Sequence, residues 1–163
     1  MKPFLFILIF SVAGFSCKKD EVQAGAKMEF YLLKSSQMLT NKCQVDASKA
    51  VLEDIPIISN QDILEYNRRM HEFTFSANSV QKLMTLRDGF PFAVTIDNRV
   101  IYYGINKPSY SSSTCDHSIT MDYASDNNKV TMKLGYPGEG FAIDDQRNNP
   151  EILATLGKQR KLR

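Results

Sequence analysis

The chain has 163 residues, 20 of them Lys or Arg against 18 Asp or Glu, for a formal charge of +2, and 43% are hydrophobic. So even a balance excludes the electrostatic footprint of a nucleic-acid-binding protein, and the length suits one domain around a single core. Behind Lys2, eight of the nine residues from Phe4 to Val12 are apolar. That run is well short of the ~20 apolar residues that span a bilayer, but it has the length of a signal-peptide hydrophobic region. Gly14 and Ser16 then put small residues at the third and first positions before Cys17, as a signal-peptidase pocket requires.

The segment MKPFLFILIFSVAGFSC is similar to a bacterial lipoprotein signal, residues 1–16, ending in a lipidated Cys17, with Gly14 where the usual pattern has a branched aliphatic residue. The same small residues also permit ordinary cleavage before Cys17 without lipid. Lipidation implies a membrane partner reached through acyl chains on Cys17, because two chains, at about 0.8 kcal/mol per buried methylene, already give lasting attachment. It also implies an outer-membrane lipoprotein in the cell envelope of a Gram-negative bacterium. Lys18, Lys19, Asp20 and Glu21 resemble the Lys-acid-acid signal that sends some lipoproteins to the cell surface, and they read equally as a solvated tether. Residues 17–27 are expected to be lipidated Cys and tether, and residues 28–163 a single domain.

Three cysteines are an odd number for an exported chain, and lipidation of Cys17 leaves Cys43 and Cys115 to pair as a disulfide. The alternatives are two buried thiols or a metal site. For a metal, Cys43 has no neighbouring His or Cys, and only His117 stands beside Cys115. No metal and no cofactor is expected.

Along the chain, Met28 to Leu33 read as a strand and Lys34 to Asn41 as a polar loop. Gln44 to Leu52 are ambiguous, and Val51 to Ile58, broken by Pro56, suggest an extended edge segment. Asn60 is placed to cap a short helix over Asp62 to Asn67. A strand from His71 to Phe75 puts His71, Phe73 and Phe75 on one face. Ser76 then caps a helix marked by Ala77, Val80, Leu83, Met84 and Arg87 and ended by Gly89.

Phe92–Ile96 and Arg99–Tyr103 flank Asp97 and Asn98, the two-residue turn of a hairpin. An unbroken register pairs Val94 with Ile101 and Phe92 with Tyr103, leaving Thr95, Val100 and Tyr102 on the opposite face as a candidate protein-binding surface. Residues 105–117 form a long polar loop that Cys115 tethers, with Tyr110 and His117 as candidate contacts. Ser118–Tyr123 and Val130–Leu134 make a second hairpin, and residues 135–148 look irregular. Asn149, Pro150 and Glu151 open a last helix that turns Ile152, Leu153 and Leu156 inward.

The run PFAVTIDNRVIYYGINKP, Pro91 to Pro108, resembles the hairpin in the periplasmic head of SecD, the accessory subunit of the bacterial preprotein translocase. Upstream elements from Ile57 to Leu86 and the closing EILATLGKQRKL, Glu151 to Leu162, fit the order of that head, with an extra insertion around residues 122–148. The resemblance implies an α+β domain, two or three short helices packed on one face of a mostly antiparallel sheet. It also implies a surface that faces an envelope protein or an unfolded polypeptide. Export-motor activity does not carry over, because the chain has no later apolar run to supply membrane helices.

Cys115, Asp116 and His117 contain the residue types of a nucleophile triad. Neighbours in sequence rarely face one another, and no glycine-flanked nucleophile elbow is present. No catalytic residue is therefore assigned, and an envelope enzyme using this loop, or a purely structural module, stays the alternative. Asp144 and Asp145 are too few for a calcium loop, and Gly135–Gly140 lacks the Lys-Ser/Thr pair of a phosphate loop.

Overall fold

The computed structural model describes residues 25–124, 128–140 and 142–163. Eight strands form one sheet: β1 (Met28–Ser35), β2 (Val51–Leu52), β3 (Ile63–Asn67), β4 (Glu72–Phe75), β5 (Pro91–Ile96), β6 (Arg99–Asn106), β7 (Cys115–Tyr123) and β8 (Lys129–Tyr136). Among the described residues two α-helices accompany them, α1 (Ala77–Met84) and α2 (Pro150–Lys158). The strand order is β2-β1-β5-β6-β7-β8-β4-β3, antiparallel throughout except for β6 beside β7. The architecture is thus α+β, as expected.

The sheet curls back on itself. β1 and β4 stand five strand spacings apart, roughly 24 Å in a flat sheet. Yet Phe30 on β1 meets Phe73 and Phe75 on β4 edge-on, at centroid separations of 5.4 and 5.3 Å. Backbone bonds cover both borders: Phe30 N–H donates to the Ile58 carbonyl at 2.9 Å, and Tyr66 N–H donates to the Lys161 carbonyl at 2.8 Å. Inside the curl, Phe92, Val94, Ile119, Met121, Val130 and Met132 pack with Val80 and Leu83 of α1 and Ile152 and Leu156 of α2.

Local chemistry explains most boundaries. Ser76 Oγ accepts from Ser79 N–H at the start of α1, and Asn149 Oδ1 accepts from Glu151 N–H at 2.9 Å at the start of α2, with Pro150 as the first helical residue. Asp97 and Asn98 sit at φ 48° and 63°, the twisted turn that lets β5 and β6 run on without splaying. Gly104 faces the Phe92 ring so closely that any Cβ would overlap it.

Two expectations are corrected. Residues 62–67 are not a helix: a short 3₁₀ turn, Asn60–Asp62, leads into β3, whose register breaks between Ile63 and Glu65. That bulge buries Ile63 and Tyr66, three apart, so a strand acquires the spacing of a helix. His71 does not belong to the strand that follows; at φ 52° it closes the turn before β4, with Nδ1 buried and unpartnered.

Candidate functional site

The decisive local feature is a second bulge. β5 and β6 pair as expected at Ile96–Arg99 and Thr95–Val100, but the register then shifts, so Val94 faces Tyr102 and Ala93 faces Tyr103. Ile101 is the extra residue, and everything beyond it changes face. Tyr102 enters the interior cluster at 6% exposure, whereas Tyr103 and Ile105 join the outer face.

The expected binding surface of Thr95, Val100 and Tyr102 is therefore not assembled. Thr95 is fully buried, its hydroxyl donating to the Glu29 carbonyl at 3.3 Å, and Val100 packs under the outer cover. Cys43, Val45 and Ala50, from residues 36–50, supply most of that cover, with Tyr136 packing at its border. Leu33, Val45, Ala93, Ile105 and Cys115 form a small outer core beneath it. Cys43 and Cys115 lie at disulfide distance, S–S 2.05 Å, and Ser118 Oγ donates to the Cys43 carbonyl at 2.6 Å beside them.

Beside the first part of β6 and of β7, ahead of the pairs Gly104–Ile119 to Asn106–Met121, a cleft of about 220 Å³ forms between this cover and the segment after β8. Gln44, Val45 and Ala47 line it from the cover, Ile101, Tyr102 and Tyr103 from the bulge, His117 and Ser118 from β7, and Ile143, Asp144 and Gln146 from the far side. Gly140 brings that far side in, because its backbone lies directly against the Asp116 carbonyl with no room for a side chain.

Asp116 and His117 do face one another, with Oδ1 and Nδ1 2.6 Å apart. A carboxylate only accepts, so Nδ1 is the donor in this contact. Among the described residues, the two neighbouring candidates for a third triad member are both engaged. Cys115 is bonded to Cys43, and the Ser118 hydroxyl is committed to the Cys43 carbonyl. Among the described residues, no group of three or more His, Cys, Asp or Glu side chains is arranged to hold a metal ion. Tyr110 is 67% exposed on the β6–β7 connection and does not line the cleft.

A polar cluster that the sequence did not signal holds that connection. Lys107 has a side chain only 3% exposed, with Nζ 3.1 Å from Asp88 Oδ1; Ser113 Oγ donates to Asp88 Oδ2 at 2.8 Å. Burial pushes the Asp88 carboxyl up, but hydrogen bonds from Ser113, Ser111 and Lys107 outweigh it and hold it below the ordinary carboxylate range. Lys107 beside Ser113 has the outline of a base and nucleophile. Lys107 Nζ donates to Ser113 Oγ and to the Ser113 carbonyl and pairs with Asp88, while Ser113 Oγ gives its own proton to Asp88 rather than to the amine, so the cluster has the pattern of a clasp. Tyr136 Oη tightens the same connection by donating to the Ser111 carbonyl at 3.0 Å.

On the inner side of the bulge, Tyr102 Oη is buried without a partner among the described residues, and burial first, then neighbouring Tyr66, raises its pKa far above the ordinary phenol value. Burial likewise lowers the His71 pKa, helped by Arg147. No protein-family model, no curated protein and no solved structure matches this chain.

Proposed function

We propose that this is a lipid-anchored envelope protein whose domain binds a polypeptide partner without catalysing a reaction on it. The cleft at the Ile101 bulge carries the reading. Its volume of about 220 Å³ is below the roughly 300–1,000 Å³ of small-molecule and cofactor sites, and suits one side chain of a larger partner. Its rim offers both hydrogen-bond donors and acceptors, Gln44, Gln146, Asp144 and His117, over the apolar floor of Ile101 and Ile119. Cys115 and Ser118, the candidate nucleophiles beside His117, are both occupied. The likeness to the SecD head belongs to the same proposal, supported by the hairpin of β5 and β6 and by the helix that closes the chain. The anchor rests on Cys17, which lies outside the described residues; mass spectrometry of the mature N-terminus should find it acylated.

A photo-crosslinking residue at Ala47 or Asp144, exposed positions lining the cleft, should give discrete polypeptide adducts in cells, and the same residue at Leu64 on β3 should not. His117→Ala should remove the adducts while thermal unfolding stays unchanged. Adducts equally abundant from all three positions, or surviving His117→Ala, would count against the cleft. The second reading, an envelope hydrolase, is favoured by the Asp116–His117 contact of 2.6 Å. It requires turnover of an ester or amide substrate that His117→Gln abolishes.

A further inference from the structure

β6 and β7 are joined over only part of their length. Their parallel ladder consists of the pairs Gly104–Ile119, Ile105–Thr120 and Asn106–Met121, whereas β6 starts at Arg99 and β7 at Cys115. In the stretch without a ladder, each strand is also irregular against its neighbour on the other side. β6 carries its extra residue at Ile101 against β5, and β7 takes four steps from Cys115 to Ile119 where β8 takes two between Tyr136 and Leu134. The two strands close on one another at Gly104, where a Cβ would run into the Ile119 carbonyl.

The cleft lies beside that open stretch, with Ile101, Tyr102 and Tyr103 from β6 and His117 and Ser118 from β7 lining it. β5 takes one edge of β6 from Arg99 onward. Among the described residues, no ladder pair forms on the other edge ahead of Gly104. Neither the 36–50 cover nor residues 142–146 supplies a backbone hydrogen bond to residues 100–102 in its place. Unpaired N–H and C=O groups along a strand are a template for a further strand. Here the template is recessed, with Gln44, Val45 and Ala47 to one side and Ile143, Asp144 and Gln146 to the other. Those walls keep out the sheet edge of a second folded copy and admit a single extended chain.

From this geometry we infer that the partner segment binds in extended form, as an added strand on the open edge of β6, with one apolar side chain lodged in the cleft. This rests on the polypeptide-binding reading of the cleft and adds the mode of recognition. Main-chain bonds supply the affinity in such strand addition, and pockets for alternate side chains supply the specificity. Successive N–H groups of a strand point to opposite edges, so every second N–H of the segment faces β6.

The test pans randomised nine-residue peptides, displayed on phage, against the purified full chain, with Ala47→Trp as the control whose cleft is filled. Ala47 is exposed, so that variant should unfold at the wild-type temperature. Peptides retained by wild type and not by Ala47→Trp are then synthesised with one backbone N-methyl group at each position in turn. Methylation should weaken binding roughly fivefold or more at alternate positions and by less than about twofold at those between. Saturating peptide should slow amide exchange in residues 99–103 about tenfold and leave α2 unchanged. Peptides that need the open cleft, yet show no alternation on methylation or no slowing at residues 99–103, overturn strand addition and leave the cleft as a binding site. A library from which no peptide distinguishes wild type from Ala47→Trp overturns the polypeptide-binding reading and this inference with it.

Discussion

Reduction of the Cys43–Cys115 pair is the most informative perturbation, because the bond joins the 36–50 cover to the first residue of β7. Its two cysteines are 72 residues apart in sequence, and on the chain-entropy relation, closing a loop of that size stabilises the folded state by about 4.4 kcal/mol at 25 °C. Cys115 is 1% exposed in the outer core, so its reduced thiol stays buried and adds little change of its own. With a urea m-value of about 2 kcal/mol/M, the midpoint of unfolding should fall by about 2 M on reduction. The measurement compares urea transitions of the oxidised protein with those of the protein kept in reductant, after a non-reducing peptide map has confirmed the linkage. The amides that reduction exposes first to hydrogen exchange should lie in residues 36–50, since Leu39 and Asp46 bond only within that cover. A midpoint shift below about 0.5 M would refute the reasoning, as would exchange that rises uniformly across the sheet.

Three further outcomes follow from named contacts. Gly104→Ala should destabilise by about 1–3 kcal/mol through overpacking against the Phe92 ring, and in calorimetry Phe92→Leu should recover part of the loss; additive effects would show that the ring is not the obstacle. Asp88→Ala should cost about 3 kcal/mol, at the low end for a broken buried ion pair because Asp88 is 32% exposed while Lys107 is 3% exposed. Lys107→Met should cost less in the same denaturant assay, and the reverse order would argue against the clasp. Stability should also fall in acid. Hydrogen bonds from Ser59 and Ser76 hold the Asp62 carboxyl below its usual range, and those from Arg147 do the same for Asp145. Depressed folded-state pKa values mean that the unfolded chain binds the protons more tightly. Their contribution is therefore complete above about pH 5 and is lost as the pH falls through 4 and below. Asp62→Asn should flatten that acid limb, and an unchanged limb would count against the assignment.

Much of the fold was legible because it depends on local rules. The Asp97–Asn98 turn and the Ser76 and Asn149 caps each act within a few residues. Their elements begin where the pattern put them, although α1 ends at Met84, short of the expected stop at Gly89. The errors cluster at two bulges. Leu64 and Ile101 each insert one residue into a strand, and a period of two carries no memory of such an insertion. At β3 the consequence was a strand with helical spacing. At β6 it was Tyr102, moved from an expected outer surface into the core.

The candidate site was less legible for the same reason. His117 lay in the sequence as a contact, but the cleft it lines is built from four separate segments that only the tertiary fold brings together. Lys107 gave no signal, since a lysine after a strand ordinarily points to water; only the parallel placement of β7 beside β6 brings Asp88 and Ser113 around it.

By itself, then, the sequence determined the Asp97–Asn98 hairpin turn and the helix caps, which residue chemistry sets at short range. The tertiary structure alone decided which face each side chain after Ile101 occupies, what covers the outer sheet, and where a cleft opens. Those depend on register between distant strands, where a single extra residue exchanges inside for outside.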